Sequence, residues 1–209
     1  MKYLYVLLAF SFLFSCKDEN KKHAESVLRE WMNKEIVFPN KMYFSIQGKE
    51  NVDFRIKDTE YKIVAYVDSA GCTSCKLHLS KWKELIHYVD STQSERVQFL
   101  FFFFPKNGRD IYHTMRMDKF TYPVCVDTLD SFNKLNHFPD DVRFQTFLLN
   151  KENKVVAVGN PIHNPNIRDL FLNIISGGTG KTMHKHLSGC PTVRVMFPIW
   201  MMCTLVETD

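Results

Sequence analysis

The chain has 209 residues, 45% of them hydrophobic, with 27 basic against 23 acidic side chains and a formal net charge of +4. That length suits one domain with an extension, since domains run to roughly 100–200 residues. With no basic cluster interleaved with aromatics, the modest charge excludes nucleic acid as the expected partner.

Residues 1–15 carry one basic side chain, Lys2, followed by an apolar run from Tyr3 to Phe14. The run is too short to span a bilayer and reads as the n-region and h-region of a signal peptide. Leu13-Phe14-Ser15-Cys16 resembles a bacterial lipobox, which implies cleavage before Cys16 and acyl chains on that residue. Cleavage removes Lys2 and takes Cys16 out of the redox count, leaving a mature charge of +3. The polar run Lys17 to Lys22 reads as a tether, and Lys17-Asp18-Glu19 is similar to the acidic surface-export signal of Bacteroidetes lipoproteins. The expected location is the cell envelope, lipid-anchored to a membrane; the outer membrane is favoured, with periplasmic side or surface left open.

Residues 16–50 are read as tether and N-terminal extension. Val27, Trp31 and Met32 fall at helical spacing, so His23 to Glu35 is expected to form an amphipathic helix, and Pro39 closes the segment after it. A domain over 51–176 follows. Val52 to Ile56 alternates with period two and reads as a half-exposed strand. Tyr61 to Val67 is more continuously apolar, as a buried parallel strand should be.

Cys72-Thr73-Ser74-Cys75 lies directly behind that strand and ahead of a helical stripe, Leu77, Leu79, Trp82, Leu85, Ile86 and Val89. At such a junction the first cysteine meets a helix N-terminus, where unpaired N–H groups and the dipole favour a thiolate. The second lies one turn deeper, so one sulfur can attack and the other can resolve a mixed disulfide. The chain has six cysteines and no second C-x-x-C, so a ribbon-type zinc site is not supported. His78 extends the motif to C-x-x-C-x-x-H on the opening turns of one helix, which keeps a zinc or copper carrier using Cys72, Cys75 and His78 as an alternative.

Val97 to Phe104 reads as a central strand buried on both faces, ended by Pro105 and the Asn107-Gly108 turn. Ile111, Met115 and Met117 suggest a short crossover helix, Tyr122 to Val126 a strand, and Leu129, Phe132 and Leu135 another helix. Cys125 is expected to be a buried strand residue rather than a third redox thiol. Thr146 to Asn150 and Lys154 to Val158 flank a polar turn and read as a hairpin. Ile167, Leu170, Phe171, Ile174 and Ile175 form a closing helix, while His137 and His163 fall near loops and read as solvated. The order of elements predicts an α/β domain with a central mixed sheet and helices on both faces.

Residues 177–209 stay unassigned. Gly177 to Thr182 looks like a phosphate loop but has Ile175 where the first glycine belongs. His184, His186, Cys190 and Cys203 show no recurring ligand spacing, and the segment reads as a poorly ordered or non-native tail.

From Asp53 to Ile175 the chain resembles thioredoxin-fold proteins of the TlpA/ResA envelope type, whose inserted helix and strand match 111–126. More narrowly it is similar to thioredoxin-like lipoproteins of Bacteroidetes, through Trp31 to Pro39, Gly71-Cys72-Thr73-Ser74-Cys75, Phe144 to Leu149, and Val158-Gly159-Asn160-Pro161. The resemblance implies Cys72 as nucleophile, Cys75 as resolving thiol, and a substrate strand bordered by Gln145 and Thr146. It departs at three positions. Gly71 stands where thioredoxins carry Trp, Gln145 where they carry the cis-proline, and Tyr66 where they bury an acid. Asp68 and Asp127 are candidate substitutes for that acid in relaying protons to Cys75.

The expected function is a membrane-anchored thiol–disulfide oxidoreductase of the envelope, acting on protein disulfides or thiols, with no cofactor. The alternatives are a thioredoxin-like binding module without turnover and the metal carrier above.

Overall fold

The computed structural model describes residues 19–68, 77–93 and 95–177. The signal-peptide, motif and tail readings at 1–18, 69–76 and 178–209 lie outside them.

Seven consecutive buried residues make β4 (Val97–Phe103) the centre of a single sheet. A strand buried at every position, with Gln98 its one polar residue, has no solvent face to offer, so it needs cover on both sides. β3 (Tyr61–Val67) pairs with it in parallel, from Tyr61 opposite Val97 to Val67 opposite Phe103. On its other side β5 (Val124–Val126) also runs parallel, with Phe103 opposite Val126. β6 (Thr146–Leu149) pairs antiparallel with β3, and β7 (Val155–Val158) antiparallel with β6. β1 (Phe44–Ile46) and the two-residue β2 (Glu50–Asn51) complete the order β2-β1-β5-β4-β3-β6-β7.

Alternate residues of β4 feed different layers. Phe99 and Phe101 meet Trp82 of α2 (Leu79–Gln93), edge to face at 6.4 and 5.1 Å between centroids. Phe120, which follows α3 (Gly108–Met117), joins them against Phe101 at 5.5 Å. Phe102 points the other way, 4.0 Å from Phe132 of α4 (Ser131–Asn136) and 6.1 Å from Phe38. On that second face α1, over 19–31, buries Ala24, Val27, Leu28 and Trp31, the i, i+3, i+4, i+7 stripe of an amphipathic helix. Trp31 packs on Phe138 and Phe147 at 5.6 and 4.8 Å. Truncating a fully buried aromatic of this kind costs about 3–5 kcal/mol. α5 (Pro165–Ile175) is the last helix among the described residues; Asn164 caps it by accepting from the N–H groups of Asn166 and Ile167, and Pro165 supplies a preset φ.

The segment before the domain is built into the sheet. Phe44 and Ser45 pair with Cys125 and Val124, and residues 33–36 zip along β7 through Asn33 N–H to Val155 O and Ile36 N–H to Asn153 O. The β1–β2 turn needs Gly48 at φ +70, because a Cβ there would lie 2.5 Å from the Tyr112 ring.

Several expectations are corrected. Val52 to Ile56 is not a strand: Phe54 N–H closes a tight turn on Val52 O, and the Gln98 amide takes up Arg55 O and Lys57 N–H instead of a neighbouring strand. Its alternation survives, with Val52, Phe54 and Ile56 packed on the core. Tyr122 precedes β5 rather than opening it. Asn107 caps α3 through Arg109 N–H, and Met117 is 69% exposed. In α4 the inward residues are Phe132 and Asn136, leaving Leu129 71% and Leu135 49% exposed. Asn136 is buried because its amide bonds Val37 N–H and Val37 O, tying the extension to the domain.

Candidate functional site

Because β3, β4 and β5 are parallel, Val67, Phe103 and Val126 end on one edge of the sheet. Antiparallel β6 begins at that edge, with Thr146 opposite Ala65. Ligand sites of open α/β sheets gather at the carboxyl ends of the strands, where the connecting loops emerge. The chain passes here from β3 to α2 through the C-x-x-C sequence. Cys72 and Cys75, like Cys16, lie outside the described residues, so the site is built from what surrounds that connection.

Tyr66, on the last turn of β3, is buried and stacks on Phe138 at 4.8 Å. Its hydroxyl donates to Asp130 Oδ1 at 2.8 Å. Burial, then this bond and the charges of Asp130, Asp68 and Asp127, push the phenol far above its ordinary range, so it stays a donor. Asp130 holds φ 53 ahead of α4 and also accepts from Asn133 Nδ2 at 3.1 Å. Asp127, at the end of β5, accepts from Leu129 N–H and Phe132 N–H, the second at 2.8 Å. Asp68 Oδ2 accepts from Gln145 Nε2 at 3.1 Å. The two acids nominated as proton relays are thus joined at this edge by a third, Asp130, bonded to the tyrosine that replaces the expected buried acid.

Gln145 and Thr146 are only 4% and 2% exposed. The Gln145 amide also donates to Pro139 O at 2.9 Å, and its carbonyl accepts from Tyr66 N–H. Thr146 O accepts from Gly159 N–H. Both residues stand where β6 meets the β3 end, tied inward by these bonds.

His78 corrects the sequence reading. The C-x-x-C-x-x-H spacing puts it on the opening turns of a helix shared with the cysteines, yet it adopts φ 39 and α2 starts at Leu79. Its carbonyl caps that helix by accepting from Lys81 N–H and Trp82 N–H. A left-handed residue breaks the helical path there, so His78 lies outside the helix that begins at Leu79. The His78 ring meets His163 edge to face at 4.5 Å between centroids, and His163 is exposed in its loop as expected. Cys125 is buried in β5, and burial pushes its thiol up to about 11, as an inert core cysteine requires. Among the described residues no group of three or more His, Cys, Asp or Glu is arranged to hold a metal ion.

Solved structures share this architecture. A solution structure from Bacteroides vulgatus, provisionally named a thiol-disulfide oxidoreductase, is 20% identical, with a TM-score of 0.50 over 72% of this chain and 97% of that one. StoA from Bacillus subtilis is 18% identical, with a TM-score of 0.42 over 56% of this chain and 84% of that one. A protein from Bacteroides thetaiotaomicron, provisionally named a protein disulfide isomerase, is 13% identical at a TM-score of 0.48 over 68% and 87%. No family model and no curated protein matches the chain. At these identities the likeness is one of fold: the domain is thioredoxin-like, a mixed sheet flanked by helices.

Asp130 and His163 are the site residues the sequence did not nominate. Their partners are 64 and 85 positions away, and no local pattern signals such pairs.

Proposed function

We propose that the chain is a thiol–disulfide oxidoreductase of the cell envelope, held to a membrane by acyl chains on Cys16. The observation that carries the reading is the position of C-x-x-C in a thioredoxin-like fold, in the connection from central strand β3 to α2. In the proposed cycle the Cys72 thiolate attacks one sulfur of a substrate disulfide and releases the other as a thiolate, which takes a proton. Cys75 then attacks Cys72 Sγ, freeing the reduced substrate and leaving a Cys72–Cys75 disulfide. The substrate gains two electrons and the pair loses two, so an envelope dithiol must reduce the enzyme again. Asp68, Asp127 and Asp130 are the groups suited to accept the Cys75 proton, and Gln145 and Thr146 border the substrate path.

Cys75→Ser decides this reading, since nothing then remains to resolve the intermediate. The variant is expected to trap a substrate covalently on Cys72, whereas Cys72→Ser traps nothing and loses turnover in a glutathione-coupled assay. Equal alkylation of both cysteines from pH 5 to 9, with no trapped species, rejects it in favour of the binding module. Anchoring has its own test. Acyl burial contributes roughly 0.8 kcal/mol per methylene, so Cys16→Ser should leave a soluble protein, and retention on salt-washed membranes refutes the anchor. Among the described residues no helix is long and apolar enough to cross a membrane.

A further inference from the structure

His78 and His163 come from opposite ends of the domain, one before α2 and the other between β7 and α5, yet their rings touch. Among the described residues neither ring nitrogen has a hydrogen-bond or ion-pair partner, so the contact is not explained as part of a polar network. His78 is half-buried and His163 exposed, which leaves both rings open to a small ligand from solvent. His78 is held in the left-handed region by the start of α2, and His163 N–H is tied to Asn160 O in the loop before α5.

We infer that His78 and His163 form a two-imidazole chelate for a borderline transition-metal ion, Zn²⁺ or Cu²⁺, at the edge of the sheet that carries the C-x-x-C connection. Imidazole nitrogen suits these ions, with Cu²⁺ the tighter of the two. A metal about 2.0–2.1 Å from one nitrogen of each ring sets the centroids roughly 5 Å apart. The observed separation of 4.5 Å is close to that spacing. Lys81 lies near enough for its charge to act on the His163 ring. Lys81 opposes a bound cation and sets the sign of one arm of the test.

The inference does not rest on disulfide exchange, and the experiment keeps the two apart. The full chain carrying Cys72→Ser and Cys75→Ser is titrated with Zn²⁺ alone, by calorimetry and by the imidazole signals in NMR. Losing one of two tethered ligands removes the effective-concentration advantage of the second, so His163→Ala should weaken uptake on the order of 100-fold. His163→Gln should do the same while keeping a polar side chain at this exposed position, and it replaces any variant that folds poorly. Lys81→Ala should tighten binding, and His137→Ala, in a separate loop, should change nothing. Unchanged Zn²⁺ affinity in both His163 variants, or no Zn²⁺-dependent shift of the His78 and His163 signals, overturns the chelate.

Discussion

The two ends of the parallel strands are both polar, but they dispose of their polar groups differently. At the amino end Arg96 clasps Glu60 through two 2.7 Å bonds, and the cation holds the Glu60 carboxyl below the usual range. There too the buried Gln98 amide is spent on Arg55 O and Lys57 N–H, which locks an irregular segment onto the sheet. At the carboxyl end Asp127 and Asp130 are held by backbone, amide and phenol donors, and two imidazoles sit together nearby. Neutral donors orient a carboxylate without cancelling its charge. The amino end therefore closes on itself, while the carboxyl end keeps charge available beside the thiol-bearing connection.

The contrast is tested hardest by two substitutions of buried side chains. Gln98→Leu strips the partners from two backbone groups, and unsatisfied buried groups cost about 1–3 kcal/mol each. Chemical denaturation should show that loss, with no change in the pH profile of thiol alkylation. Tyr66→Phe removes the donor to Asp130 and should cost about 1–2 kcal/mol, less because Asp130 is half-buried and water can reach it. Unlike Gln98→Leu, it should raise the pH at which the C-x-x-C thiols become reactive, since the freed carboxylate disfavours a thiolate. Identical alkylation profiles in the two variants remove the functional distinction between the ends.

A smaller effect concerns Cys125, which pairs with Phe44 next to the carboxyl end. Burial, with the Asp127 charge adding, pushes its thiol above the ordinary cysteine range, to about 11. The folded state therefore holds its proton where the unfolded chain has lost it. That contribution is complete below pH 9 and is lost as pH rises toward 11, at up to about 1.4 kcal/mol per pH unit. Cys125→Ala should flatten the alkaline part of the stability curve relative to the parent. The least change is expected from Glu60→Gln, an exposed ion pair worth little in water, whose melting temperature should match the parent within error.

Much of this molecule was legible because its signals are local. The apolar run at 99–104, the polar turn between β6 and β7, and the stripe of Ile167, Leu170, Phe171 and Ile175 each follow from side-chain pattern within one element. Where local signals were short they misled. Leu129 and Leu135 suggested the inner face of α4, but Phe132 seats against Phe102 and turns Asn136 inward. Val52 to Ile56 has a strand's alternation without a strand's partner, because the Gln98 side chain takes its backbone groups.

The sequence by itself determined the layered α/β plan, since burying a two-faced apolar strand leaves few arrangements. Only the tertiary structure decided that β1 joins the sheet beside β5, that Tyr66 finds Asp130, and that His78 meets His163. Each of those joins residues far apart in the chain. Such partners are selected by how packed layers bring loops together, and no periodicity within a single element encodes that.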